Sequence, residues 1–238
     1  MKENQGNKIT IISQQQALDK LKEATPDTPI ILDFDETVFL RNSTAEYLNS
    51  LRPRLIGLLL VICLKIIRPW NWLPPPFKGN QVKDWFLVII PTILLPWSLF
   101  FWRAKAPQLA KDYGNLELIN AVKDHPSSNI VVASLGFNFI IMPILQHLPL
   151  QHNSLIGCRF WQGAFDRSKG KLLMSRQALS DSTLAAAILI TDSPDDLPFL
   201  EIVAKPCLVV WHEAKYIPPF QDLYPQFIRR NNNSIVSN

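Results

Sequence analysis

Cysteine is scarce in this chain and poorly placed for either of its structural uses. The 238 residues hold three, Cys63, Cys158 and Cys207. Their odd number and wide spacing give neither a disulfide framework nor a zinc-ligand pattern. They read as buried thiols in a reducing compartment. Charge is thin as well, with 18% charged against 47% hydrophobic residues. The net charge of +4 is too mild to argue for nucleic acid. No internal repeat is present, which excludes solenoids and propellers. Met1 to Asn7 is polar and leads into no apolar signal core, so the expected location is the cytoplasm. The length suits one sizeable α/β core carrying an insertion.

What the chain does have is a run of four apolar positions ending in paired acids, Pro29-Ile30-Ile31-Leu32-Asp33-Phe34-Asp35-Glu36-Thr37-Val38. A short continuous apolar run reads as a buried strand of a parallel sheet. Ligands in such sheets bind beyond the carboxyl ends of the strands, where Asp33 and Asp35 emerge. Two crowded carboxylates repel, so the site calls for a divalent cation or a shared proton. One could act as nucleophile and metal ligand, the other as general acid and base. A strand that simply ends in an acidic, solvated turn has the same pattern.

Further elements alternate. Ser13 caps a short helix through Leu21, and Leu116 to Val122 suits another, stopped by Pro126. Strands are predicted at Asn129 to Ser134, Ser154 to Phe160, Ala187 to Thr191 and Cys207 to Trp211. Helices are predicted at Gly136 to Leu148, Lys171 to Leu179 and Asp195 to Val203. That alternation predicts an α/β fold with a doubly wound parallel sheet. The polar tail from Arg229 reads as disordered.

Three more sites fall at strand ends or helix starts. Ser134 closes its strand, and its hydroxyl with the N–H groups of Leu135 and Gly136 suits a phosphoryl oxygen at a helix N-terminus, although many such serines are only caps. Arg167-Ser168-Lys169-Gly170-Lys171 precedes a helix and offers two lysines. Ile190-Thr191-Asp192-Ser193-Pro194-Asp195-Asp196-Leu197-Pro198 delivers an acid, Asp192, at a strand end, with Asp196 one turn on. The plain alternative is that Ser193 or Asp192 caps the next helix.

In this order the four stretches resemble the motifs of the haloacid dehalogenase (HAD) superfamily of phosphohydrolases, in its phosphoserine-phosphatase-like branch. The first matches Asp-x-Asp-x-Thr/Val. The fourth matches Gly-Asp-Ser-x-x-Asp-Leu-Pro with Thr191 in place of the usual Gly. The resemblance covers about Pro29 to Thr37 and Leu116 to Trp211. It implies a Mg²⁺-dependent phosphatase working through an aspartyl-phosphate. Asp33 would be nucleophile, Asp35 acid and base, and Lys169, favoured over Lys171 for its Lys-Gly pair, the balancing cation. Thr37, Ser134 and Leu135 would bind the phosphoryl group. Asp33, Asp35 and Asp192 would hold Mg²⁺, with Asp196 in support. A non-catalytic, membrane-associated scaffold keeping the same fold is the alternative.

The expected boundaries are a catalytic core of 1–38 and 115–228, a helical apolar insert of 39–114, and a tail of 229–238. The insert lies where this branch carries a cap, and an ordinary helical cap is one reading of it. Its two dense apolar runs, Leu55 to Ile67 and Trp85 to Trp102, are flanked by Arg, Lys and Trp. These suggest instead a monotopic hairpin on the cytoplasmic leaflet. This arrangement resembles HAD modules found beside prenyltransferases. It implies a phosphate on a lipid or small molecule as substrate, a membrane surface as partner and a separate prenyltransferase.

Overall fold

The structure, a computed structural model, describes residues 9–127 and 129–214. The expected tail and both extremes of the expected core lie outside them. Six strands form one all-parallel sheet: β1 (Ile11–Ile12), β2 (Ile30–Leu32), β3 (Ile130–Phe137), β4 (Ser154–Cys158), β5 (Ile188–Thr191) and β6 (Lys205–Val209). Their spatial order is β1-β6-β5-β2-β3-β4. The chain winds outward from β2 through β3 to β4, returns to β5 on the other side of β2, and winds outward again. The winding reverses between β2 and β5, and a crevice opens there at the carboxyl ends of the strands. This is the expected doubly wound α/β architecture.

The central strands form because their residues are apolar on both faces. Ile30, Ile31 and Leu32 are fully buried, as are Ile188, Leu189 and Ile190. Helix α1 (Gln14–Lys22) starts with the predicted capping box, Ser13 and Gln16 each bonding the other's backbone. Helix α6 (Leu116–Lys123) is capped by Asn115. Two departures from expectation bear on the site. β3 runs past Ser134 to Phe137, with a register break between Ala133 and Phe137. Helix α7 therefore begins only at Asn138 and ends at Leu145. The helix expected from Asp195 becomes a 3₁₀ turn, Pro194–Asp196, followed by a single short helical turn, Leu197–Leu200.

Between β2 and α6 lie α2 (Ser43–Ser50), α3 (Arg54–Ile67), α4 (Lys83–Leu94) and α5 (Ser98–Tyr113). The insert leaves and returns at one point: Leu40 N donates to Tyr113 O (2.8 Å) and Asn115 N to Val38 O (2.9 Å). It is also joined to α7 of the core. Tyr47 meets Trp102 and Phe139 edge-on, each at 5.6 Å, and Trp102 Nε1 donates to Ile140 O (3.0 Å). The second apolar run is not one helix. Pro91 is taken up inside α4, whereas the break falls at Leu95–Trp97, and the two arms are bent by 116°. No single helix among the described residues is long and apolar enough to cross a membrane; the bent pair passes by length and composition only. Cys158 and Cys207 are buried as expected, but Cys63 is exposed because it lies on the outer side of α3.

Candidate active site

Strand register builds the site. Leu32 pairs with Ile190 on one side and Val132 on the other, so the next residue of each strand stands level: Asp33, Thr191 and Ala133. Asp192 and Ser134 follow one step beyond. Asp33 N still donates to Ile190 O (2.9 Å), which holds the carboxylate at the mouth of the crevice. The loop beyond is fixed from below, where Phe34 stacks on Phe39 at 5.7 Å.

Asp33 and Lys171 form the centre. Asp33 Oδ1 accepts from Phe34 N (2.7 Å), and Oδ2 lies 2.8 Å from Lys171 Nζ and 2.9 Å from Thr191 Oγ1. The same ammonium reaches Asp196 Oδ2 at 2.5 Å, and Thr191 Oγ1 lies 2.7 Å from that oxygen too. Two buried carboxylates thus share one lysine and one hydroxyl, whose single proton can serve only one of them at a time. Burial works against a charged Lys171, but Asp196 and Asp33 outweigh it and hold the ammonium above its ordinary range. Burial pushes Asp33 up, with Lys171 opposing.

Asp35 accepts from Ser43 N (2.6 Å) at the start of α2. Burial raises its carboxyl from the ordinary 3.8 to about 6. Asp192 accepts from the Thr37 hydroxyl (3.0 Å) and is pushed up by burial and by the charge of Asp33. Glu36 takes the left-handed conformation (φ 55°), and burial with its acidic neighbours lifts it to about 10. These carboxylates face an open cavity of about 810 Å³, which Ser134, Leu135 and Gly136 also line.

Several expectations need correction. Lys169 bonds Gln177 (3.2 Å) and does not line the cavity, whereas Lys171 does. The cause is Gly170, whose φ of +79° breaks α8 (Gly163–Ala178) into two arms. Lys169 ends the outer arm and Lys171 begins the inner one. Thr37 is fully buried behind Asp192 and is not part of the cavity lining, so it orients that carboxylate rather than meeting a ligand. Ser134 lies on the cavity but in the irregular part of β3, not at a helix N-terminus; its Oγ accepts from Gly136 N (2.9 Å). Leu135 lines the cavity while its carbonyl accepts from Arg167 Nη1 (2.5 Å).

Sequence reasoning gave no site role to Thr191, Glu36, Arg167, Lys65 or Lys83. Thr191 was findable: it immediately precedes Asp192 on the strand that must neighbour Asp33. Arg167 pairs with Asp84 (2.7 Å) and donates to Gln81 O (2.6 Å), a contact between insert and core that local pattern does not reveal.

Among the described residues no three His, Cys, Asp or Glu side chains group closely enough to hold a metal ion unaided. The donor chemistry nevertheless fits Mg²⁺. That ion is commonly held by one or two carboxylates, with waters and substrate phosphate completing the shell. The charge of Asp33 helps push Asp192 up, and Lys171 is already shared between Asp33 and Asp196. Asp33, Asp192 and Asp35 are the residues that would hold the ion.

No family model matches the chain, and no curated protein matches it. Among solved structures it is similar to a protein of unknown function from Bordetella pertussis Tohama I. The two are 15% identical, with a TM-score of 0.55, over 85% of this chain and 96% of that one. The likeness shows a shared fold. A phospho-aspartyl intermediate analogue of phosphoserine phosphatase also aligns, at 16% identity and a TM-score of 0.41, over 76% of this chain and 86% of that one. The matches lend no support to an association with a prenyltransferase.

Proposed function

We propose that the chain is a HAD-type phosphatase that hydrolyses a phosphomonoester through an aspartyl-phosphate on Asp33. The observation that carries this reading is the buried contact of Lys171 with Asp33 (2.8 Å), at the carboxyl end of β2 and beside the protonatable Asp35. A structural ion pair needs neither an open cavity in front of it nor a second carboxyl held near 6.

In the first half-reaction Asp33 attacks phosphorus in line, and the bond to the leaving oxygen breaks. Asp35 gives its proton to that oxygen. In the second, Asp35 takes a proton from water, the water oxygen bonds to phosphorus, and the acyl-phosphate P–O bond breaks to release phosphate and restore Asp33. Lys171 offsets the charge gathered around the phosphoryl oxygens, and Thr191 with Asp196 keeps it in register with Asp33. Ser134, whose Oγ accepts from Gly136 N, offers its hydroxyl proton to the same oxygens. Mg²⁺, when bound, would supply Lewis-acid stabilisation and relieve repulsion among the carboxylates.

The test is release of phosphate from p-nitrophenyl phosphate with Mg²⁺ or chelator present. The reading expects Mg²⁺-dependent turnover that Asp33→Asn abolishes. Failure of the wild-type chain to release phosphate from any of a panel of phosphomonoesters would favour the non-catalytic scaffold.

A further inference from the structure

The insert leaves an apolar surface that the fold does not cover. Helix α3 buries only Gly57, Val61 and Leu64. Leu55, Leu58, Leu59, Ile62 and Ile66 recur at helical spacing on its outer side, and Leu55 and Ile66 are 68% and 74% exposed. At the α4–α5 elbow, Ile93, Leu94, Trp97 and Phe100 are also exposed, Phe100 at 73%. The two patches are tied together, since Trp97 Nε1 donates to Arg52 O just before α3 (2.5 Å). At the other end of α3, Trp72 Nε1 donates to Ile67 O (3.3 Å). An apolar helix face of 14 residues, about 21 Å long, thus carries an anchored Trp at each end. That length is too short to cross a hydrocarbon core of about 30 Å, and it suits a helix lying in the plane of an interface.

Charge selects the occupant. From Tyr47 to Lys111 the sequence holds nine Lys or Arg and one acid, Asp84, and that acid is paired with Arg167. Arg52 and Arg54 flank one end of α3, Lys65 and Arg68 the other. A second copy of the chain would bring cation against cation across this face, whereas an anionic bilayer meets both the apolar strip and its rim. Lys65 has a further role. By helical spacing it stands between the exposed strip and the buried side of α3, and it lines the cavity that holds Asp33. Lys83, Leu48 and Leu87 of the insert line the same cavity. Neither the Lys65 nor the Lys83 ammonium has an ion-pair or hydrogen-bond partner among the described residues.

We infer that α3 and the α4–α5 elbow seat the protein on an anionic membrane surface, and that the site takes a phosphomonoester carried on a lipid tail from that surface, past Lys65 and Lys83. The second half of this inference rests on the phosphatase reading; the first does not.

The experiment uses the full chain in two assays. Flotation with phosphatidylcholine vesicles, with and without phosphatidylglycerol, reads docking. Hydrolysis of phosphatidic acid in the same vesicles, compared with soluble p-nitrophenyl phosphate, reads delivery. Binding is expected on the anionic vesicles and to weaken with salt. A Leu59→Glu, Ile66→Glu double variant changes only exposed positions, and its unfolding curve should match the wild type. Its binding and its hydrolysis of phosphatidic acid should each fall by about tenfold or more, while its aryl-phosphate rate stays the same. Arg54→Glu should reduce binding on the anionic vesicles alone. Flotation without hydrolysis of either phosphate would uphold docking and overturn the phosphatase reading. A protein that cleaves aryl phosphate yet stays in the aqueous fraction, as a monomer or as a dimer, would overturn docking. Equal hydrolysis of vesicle-borne phosphate by wild type and double variant would overturn delivery.

Discussion

Thr191 Oγ1 lies 2.9 Å from Oδ2 of Asp33, on the neighbouring parallel strand and at the same level. The motif this stretch resembles has glycine at that position, and the hydroxyl here bridges Asp33 and Asp196 where a glycine could not. Thr191→Val keeps the branched shape and removes the hydroxyl. Losing a hydrogen bond to a buried carboxylate costs about 1–3 kcal/mol. The expected outcome is a matching loss of stability by urea denaturation, with kcat/KM reduced by about tenfold. An unchanged rate would mean that the bridge does not position Asp33.

The two lysines around Gly170 should separate cleanly. Lys171→Ala leaves Asp33 and Asp196 buried without their cation, and breaking a buried pair by removing one partner costs about 3–5 kcal/mol. Activity should fall by at least about a hundredfold. Lys169→Ala, which loses only a bond to Gln177, should change both quantities little. Comparable losses in the two variants would contradict the assignment of Lys171.

Gly170 itself can be tested. Its φ of +79° is one that side chains rarely adopt, although a Cβ there would meet nothing within 4 Å. Gly170→Ala should therefore act through backbone strain rather than a clash, costing about 1 kcal/mol. It should lower activity by shifting Lys171. A variant as active and as stable as the wild type would show that the reversal tolerates a side chain.

The buried carboxylates set the sign of a pH dependence. Asp35 is raised from 3.8 to about 6 and Glu36 from 4.5 to about 10, so the folded chain binds protons more tightly than the unfolded one. Their contribution to stability is complete below the ordinary carboxylate values and is lost as pH rises through about 6 and then towards about 10. Chelator-treated protein should show a Tm that falls between about pH 5 and about pH 8, and added Mg²⁺ should raise Tm more at the higher pH. A Tm that rises over that interval, or a metal effect independent of pH, would contradict the picture.

Much of this was legible because the relevant signals are local. The apolar runs ending in Asp33 and Asp192 define both strands and their chemistry within a few residues, and the capping box at Ser13 is a four-residue pattern. The choice between Lys169 and Lys171 depended on where the chain reverses, which a lone glycine between two lysines does not reveal. The continuation of β3 past Ser134 comes from pairing with β4, since Phe137 is held against Cys158 across the register break. Of the two prolines in the second apolar run, Pro91 is accommodated within α4 and the bend is made near Pro96, a choice that the local sequence does not reveal. Arg167 acts between elements far apart in sequence, so no window of residues contains its contacts.

The central claim is that phosphate becomes bonded to Asp33. Asp35→Asn removes the group that activates water, while p-nitrophenolate leaves with little need of an acid, so this variant should accumulate the intermediate. Acid quenching after incubation with p-nitrophenyl phosphate and Mg²⁺, followed by peptide mass spectrometry, reads the modified residue directly. The account predicts phosphate on Asp33, stoichiometric with a burst of nitrophenolate, and none in an Asp33→Asn variant. Phosphate on another side chain, or turnover that persists without Asp33, would contradict it.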